Sequence, residues 1–224
     1  MQRKILEEII SKQGERSSLA YVIDVENGDE FIFSKGKKTN YPKLDMEIID
    51  CLRFDRSKLV QIDNKSFFID VYNPPLKLLI IGAVHIAQHL INFANNLNFD
   101  CILIDPREGF ANGERFADVK IYNNWPDEVL PELDIDERTA IVTLTHDPKI
   151  DDVALDFVLE KNCFYIGSLG SKKTHNARIE RLSKKHSKKK LTTIHGPIGL
   201  DIGARSPAEI ALSIVSEMIS KLRL

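Results

Sequence analysis

The chain of 224 residues is 43% hydrophobic and 29% charged, with a formal net charge of -2. That balance excludes a disordered chain and leaves room for one large core or two modest ones. Both signs of charge are mixed along the sequence, so no global basic field draws it to nucleic acid or to an acidic membrane surface.

Residues 1–13 set Ile5, Ile9 and Ile10 among charges, which suits a short amphipathic helix and does not resemble a secretory signal. No window approaches the roughly eighteen apolar residues of a membrane span, so a cytoplasmic protein is expected. In SLAYVIDVENGDEFIFSKG, two β-like runs flank Asn27-Gly28, a dipeptide that predicts a type I′ hairpin turn with positive φ at both central residues. A helical patch over 44–52 follows, and KLVQIDNKSFFIDVY predicts a second hairpin turning at Asp63-Asn64. The run Asn73-Pro74-Pro75-Leu76 stiffens the chain and removes ladder donors, which places a domain boundary there and a small α+β domain over 1–72.

Over 77–224 the pattern changes to short apolar strands alternating with helices. Strands are expected at 77–81, 100–104, 119–122, 139–145, 163–166 and 191–195, and helices at 84–97, 126–133, 149–161, 172–186 and 206–222. Right-handed crossovers between such strands give a parallel sheet covered on both faces, a doubly wound α/β domain of Rossmann type. The last helix has a marked start: Ser206 as cap, Pro207 at the first position and Glu209 to complete a capping box, with Ile210, Ile214, Ile219 and Leu222 as its apolar stripe. The run SKKHSKKK at 183–190 reads as a solvated face, with docking of an acidic partner as the alternative. Cys51, Cys101 and Cys163 show no CxxC spacing, and the latter two open expected strands, as small reduced core residues do.

In a parallel sheet the chemistry lies just beyond the carboxyl ends of the strands. Those positions hold Gly82-Ala83-Val84-His85, Asp105-Pro106-Arg107, Thr145-His146-Asp147, Gly167-Ser168-Leu169-Gly170-Ser171 and His195-Gly196-Pro197-Ile198-Gly199-Leu200-Asp201. Gly82 leads into a helix whose N-terminus can hold an anion, and Asp105 follows near the spacing of about 20 residues at which an acid meets the ribose of a dinucleotide. Val84, however, stands where the fingerprint has its middle glycine, so ordinary NAD binding is disfavoured. Gly167, Ser168, Gly170 and Ser171 resemble a second anion cradle beside Lys172 and Lys173. His85, His146 and His195 share the expected edge; with Asp147 they make a zinc set on paper, and general acid–base work by His146 beside Asp147 is equally open.

Side by side, GAVHIAQ (82–88), IDPREGFANGERF (104–116), LTHDPKID (144–151), YIGSLGSKKT (165–174) and HGPIGLDIGARSPAEIALSIVSEMI (195–219) resemble the XdhC/CoxI family of xanthine dehydrogenase accessory proteins. The resemblance implies a chaperone that binds molybdenum cofactor (molybdopterin), assists its sulfuration and delivers it to a molybdenum hydroxylase such as xanthine dehydrogenase. It also implies a homodimer in contact with a cysteine desulfurase. Two departures stand out. Residues 1–75 lack the family's glycine- and arginine-rich loop and its GGC-VE and CGG cysteine motifs, and Val84 replaces the second glycine of a loop that usually reads G-A-G-H. Because no nucleophile pairs with a base by spacing, a non-catalytic accessory role is expected. The alternatives are an NAD(P)-dependent oxidoreductase and a non-enzymatic partner-binding module.

Overall fold

A computed structural model describes residues 2–107, 109–111, 113, 115–116 and 119–224. The chain divides into two compact units, Met1–Pro74 with Arg223 and Pro75–Leu222 with Leu224.

The first unit runs α1 (Arg3–Gly14), β1 (Leu19–Asp24), β2 (Glu30–Ser34), α2 (Pro42–Phe54), β3 (Lys58–Ile62) and β4 (Lys65–Tyr72). The strands form one antiparallel sheet in the order β2-β1-β4-β3. Alternation along β1 sends Ala20 and Val22 toward Leu44, Ile48 and Cys51 of α2, and Leu19 and Tyr21 toward Ile9 of α1. The first hairpin departs from the expected turn. Five residues separate β1 from β2, and of the Asn27-Gly28 pair only Gly28 has a positive φ, +76°. Asp24 explains this: its Oδ1 accepts from the N–H of Glu26 and of Asn27, and its carbonyl accepts from Gly28 N at 2.8 Å. That side chain closes a wider turn of its own. The two-residue turn with both φ positive occurs instead at Asp63 (48°) and Asn64 (65°), between β3 and β4.

The second unit runs β5 (Leu76–Ile81), α3 (His85–Asn96), β6 (Phe99–Ile104), β7 (Lys120–Tyr122), α4 (Pro126–Val129), β8 (Thr139–Thr143), α5 (Pro148–Val158), β9 (Tyr165–Ser168), α6 (Lys172–Leu182), α7 (Lys188–Leu191), β10 (Ile194–His195) and α8 (Pro207–Arg223). Its six strands pair in parallel in the order β10-β9-β8-β5-β6-β7, the strand order of a Rossmann domain. Leu78 and Ile80 face a core shared with Leu90 and Ala94 of α3 and Ile214 and Met218 of α8. Leu79 and Ile81 face the opposite core, closed by Ala154, Leu155 and Val158 of α5. A strand buried on both faces is apolar at nearly every position, and β5 is buried at every position.

Several boundaries differ from expectation, among them α6, which stops at Leu182, α5 at Val158 and β8 at Thr143. Leu191 ends the short helix α7, capped by Ser187, so β10 keeps only two residues. Pro131 follows α4 within a 3-10 turn over Leu130–Glu132, which stops the expected longer helix. Finally, β9 continues through Gly167 and Ser168, residues expected in a loop. The lysine run is partly tied down: Lys185 lies 2.6 Å from Asp156, Lys190 2.5 Å from Glu160, and His186 Nε2 2.7 Å from Asp156. Asp152 and Asp156, one turn apart on α5, thereby meet Arg181 near the end of α6 and Lys185 just beyond it. Among the described residues no helix is long and apolar enough to cross a membrane.

Candidate functional site

Parallel pairing brings the carboxyl ends of all six strands to one edge. β5 and β8 are neighbours whose following helices, α3 and α5, pack on opposite faces, so the crevice where such folds take ligands opens between them. Gly82 has φ +115°, and a Cβ there would stand 2.7 Å from Thr145 Cγ2 and 3.2 Å from Thr145 N. Glycine is thus required at this turn both by its backbone and by the loop after β8 that lies against it. Val84, at φ -91° and ψ 173°, needs no glycine conformation, and its half-buried side chain packs on the core. It also provides no side-chain cap for α3. Ala87 N donates to Val84 O at 3.0 Å, and the N–H groups of the exposed His85 and of Ile86 are left for an anion or water.

Asp105 is fully buried. Its Oδ2 accepts from Ala83 N at 2.7 Å and Arg107 Nη2 at 2.6 Å; its Oδ1 accepts from Arg107 N at 3.0 Å and Arg107 Nε at 2.8 Å. A carboxylate offers about four acceptor positions, and all are used. Burial raises its pKa, but the bonds from Arg107 and the two backbone N–H groups outweigh burial and hold the carboxyl below the usual range. The expected meeting with ribose hydroxyls is therefore not available to Asp105, which ties the second loop to the first. Arg107 stays partly exposed, its guanidinium over the Phe110 ring at 4.3 Å.

Beyond β8, Asp147 caps α5 by accepting from Lys149 N at 2.9 Å, so its carboxylate turns to the helix and the acid–base pairing with His146 does not form. His146 is exposed and holds φ +64°, a left-handed conformation uncommon outside glycine. Buried Asp151 explains it, accepting from His146 N at 3.1 Å, Thr145 N at 3.2 Å and Thr145 Oγ1 at 2.6 Å. Burial pushes the Asp151 carboxyl up against the pull of those bonds. Its counter-charge is Arg178 Nη2 at 3.5 Å, and the same nitrogen donates to Leu169 O at 3.2 Å. Arg178 is 2% exposed, and burial lowers its pKa despite Asp151 and Asp152. Asp151 and Arg178 thus join the loops after β8 and β9.

On β9, Ser168 is fully buried and its Oγ lies 2.5 Å from Thr143 Oγ1, so it faces the sheet interior and not the edge. Gly167 and Tyr165 precede it in the strand. Gly170 and Ser171 lead into α6, where Ser171 caps by accepting from Thr174 N at 3.2 Å. Exposed Ser171, Lys172 and Lys173 form the polar end of that helix.

The end of β10 carries a cluster that residue spacing did not reveal. His195 Nδ1 lies 3.2 Å from Glu217 Oε1, while Glu217 Oε2 accepts from Tyr165 OH at 2.5 Å and from Gly199 N at 2.8 Å. The His195 and Tyr165 rings stack, centroids 5.0 Å apart and 17° from parallel. Gly199 has φ +91°, and a Cβ there would meet Ser213 Oγ at 2.3 Å, so α8 passes too close for any side chain. Pro197 and Asp201 are exposed on the loop between β10 and α8. The sequence signal for Glu217 is its position seven residues after Ile210 and three after Ile214, an acid on the stripe by which α8 packs.

The three histidines do not gather on one ion. β10 is three strands from β5, about 14 Å at roughly 4.8 Å per strand. Among the described residues no three His, Cys, Asp or Glu side chains form a metal-binding group.

The Rossmann unit has counterparts among known proteins. A family model described as the XdhC Rossmann domain matches residues 78–218. A protein of Bacillus subtilis (strain 168), named as a probable subunit of xanthine dehydrogenase, is 32% identical over 155 residues, covering 69% of this chain and 45% of its own length. The molybdenum cofactor insertion chaperone PaoD of Escherichia coli (strain K12) is 33% identical over 150 residues, 66% of this chain and 41% of its own. The chain thus spans less than half the length of these curated relatives. A solved structure titled as a xanthine dehydrogenase from Bacillus halodurans superposes with a TM-score of 0.69 at 24% identity, over 99% of this chain and 64% of the other, a likeness of fold. With a match that takes in all but the outermost residues of the Rossmann unit, the chain belongs to the XdhC family.

Proposed function

We propose that this chain is an accessory protein that holds molybdenum cofactor at the carboxyl edge of its Rossmann sheet and passes it to a molybdenum hydroxylase of the xanthine dehydrogenase type. Family membership, together with an edge that bears two helix N-termini, carries the reading. The donor set fits a pterin that bears a phosphate or a dinucleotide. The open first turn of α3 at His85 and the end of α6 at Ser171, Lys172 and Lys173 supply N–H, hydroxyl and ammonium donors to an anion. His146, His195, Pro197, Gly199 and Asp201 line the same edge for the rest of the ligand.

When bound, the cofactor brings the redox chemistry of the target enzyme; this chain binds, orients and releases it. Within the Rossmann unit the thiols lie away from the edge. Cys101 and Cys163 lie toward the amino-terminal ends of β6 and β9, and Cys51 belongs to the other unit. Sulfur for the cofactor then comes from a partner, a cysteine desulfurase, with the chain acting as a homodimer in the cytoplasm. A hydride-transfer role is disfavoured by the saturation of Asp105.

The test is reconstitution. A cofactor-free hydroxylase of the xanthine dehydrogenase type is given released molybdenum cofactor with and without this chain. The reading expects faster or fuller recovery of activity with the chain, and equal recovery would remove the insertion role.

A further inference from the structure

We infer that Glu217 fixes His195 as a hydrogen-bond acceptor at Nε2, and that this atom receives an N–H or O–H group of the ligand at the carboxyl edge. The inference rests on the cofactor reading only for the ligand's identity, where the ring N–H groups of a pterin are the matching donors.

The geometry separates the two oxygens of Glu217. Oε2 is held from two sides, by Tyr165 OH from β9 at 2.5 Å and by Gly199 N at 2.8 Å. Oε1 remains for His195 Nδ1 at 3.2 Å. Tyr165 is 1% exposed, and burial first, then the neighbouring Glu217, pushes its phenol far above the ordinary value, so it stays a donor. A carboxylate has no proton to give, so neutral His195 must carry its proton on Nδ1 to bond with Oε1. That leaves Nε2 bare. Among the described residues no group hydrogen-bonds to Nε2, and the side chain is 24% exposed, enough to be reached from outside. The stack on Tyr165 and the Glu217 bond together fix the ring, the arrangement by which a carboxylate orients an imidazole for a ligand on its far nitrogen. A further titratable group close by is His175 of α6, whose Nδ1 lies where a Cβ on Gly196 would fall, 2.1 Å away. Burial, with Arg178 adding to it, lowers the His175 pKa, and His175 makes no hydrogen bond to Glu217 among the described residues.

Glu217 is therefore a positioning residue, and E217Q is the informative change. A glutamine keeps an oxygen for Tyr165 and Gly199 while turning an amide donor toward His195 Nδ1. The imidazole must then accept at Nδ1 and carry its proton on Nε2, presenting a donor where the ligand also has one.

The experiment is ¹⁵N NMR of the histidine-labelled full chain at about pH 8, above the ordinary imidazole pKa. The His195 resonance is identified by its loss in H195Q. The expected result is the Nδ1–H tautomer, the minority form of free histidine, in the unmodified chain and the Nε2–H tautomer in E217Q. An Nε2–H tautomer in the unmodified chain, or one that E217Q leaves unchanged, overturns the assignment, and the first of these needs no variant to fold. A free pterin is then titrated as the probe. The unmodified chain should bind it with a shift at His195 Nε2, and E217Q should bind it about tenfold more weakly, the effect of one donor left facing another. Pterin binding that leaves Nε2 unshifted and E217Q unaffected overturns the inference and spares the cofactor reading. Failure of the unmodified chain to bind pterin overturns the cofactor reading and removes pterin as the occupant, while the tautomer still decides the Glu217–His195 pair.

Discussion

Asp105→Ala separates a ligand residue from a structural one. In the native chain this carboxylate is fully buried and accepts four bonds, one from Ala83 N at 2.7 Å and three from Arg107. Removing it strands the Ala83 N–H, which costs about 1–3 kcal/mol for a buried donor without a partner. Arg107, 30% exposed at its side chain, can turn to water and adds less. The expected loss is about 2–4 kcal/mol, or roughly 1–2 M in the urea midpoint. Trp125 is the one tryptophan and lies in the Rossmann unit, so its fluorescence reports that unit's unfolding separately from the other. The pH dependence has a definite sign. Because the folded pKa is depressed, the stabilisation by Asp105 is full above the unfolded value of about 3.9 and is lost as the pH falls through the folded value. The gap between native chain and variant should therefore narrow below about pH 4. A loss under about 1 kcal/mol near neutrality would refute the assignment of Asp105 as the tie between the first two loops.

With Asp105 saturated and Val84 at the first turn, titration with NADH to about 1 mM should give no saturable fluorescence change, and a clear isotherm would restore the oxidoreductase reading. Gly199→Ala forces a Cβ to 2.3 Å from Ser213 Oγ at φ +91°, and should lower stability by about 2–4 kcal/mol in the same urea assay. A neutral effect there would mean that α8 is free to move away. Burial pushes the Cys101 thiol up to about 12 and the Cys163 thiol up to about 11, and raises Cys51 as well. Cys51 and Cys101, both buried, should react slowly with a thiol reagent at neutral pH and fast once unfolded, with the half-buried Cys163 between; prompt reaction of native Cys51 or Cys101 would contradict their burial.

The sheet was legible because its cause is local. Buried parallel strands such as 76–81 are apolar nearly throughout, and α8 announces itself with Pro207 at its first position and a capping box between Ser206 and Glu209. The hairpin at Asn27-Gly28 departs from the dipeptide's preference because the decisive group is the side chain of Asp24, three residues upstream of Asn27, which closes a wider turn. At the edge, the positions of the loops followed from strand ends, but the direction of each side chain did not. Ser168 and Asp105 are polar residues at strand ends that point inward, to Thr143 and to Ala83 with Arg107, partners fixed by which strands adjoin. Arg178 and Glu217 sit within helices far along the chain. They reach the loops only because α6 and α8 fold back over them, a consequence of topology that spacing does not encode.

The central claim is that the strand-end edge holds the cofactor. The most direct measurement incubates the purified full chain with released molybdenum cofactor, separates it by gel filtration, and quantifies bound pterin by fluorescence after oxidation. Close to one pterin per chain is expected for the native protein, with a loss of about tenfold or more in binding when exposed Lys172 and Lys173 are both changed to glutamate. No pterin above background on the native chain, or full retention by the charge-reversed variant, would contradict it.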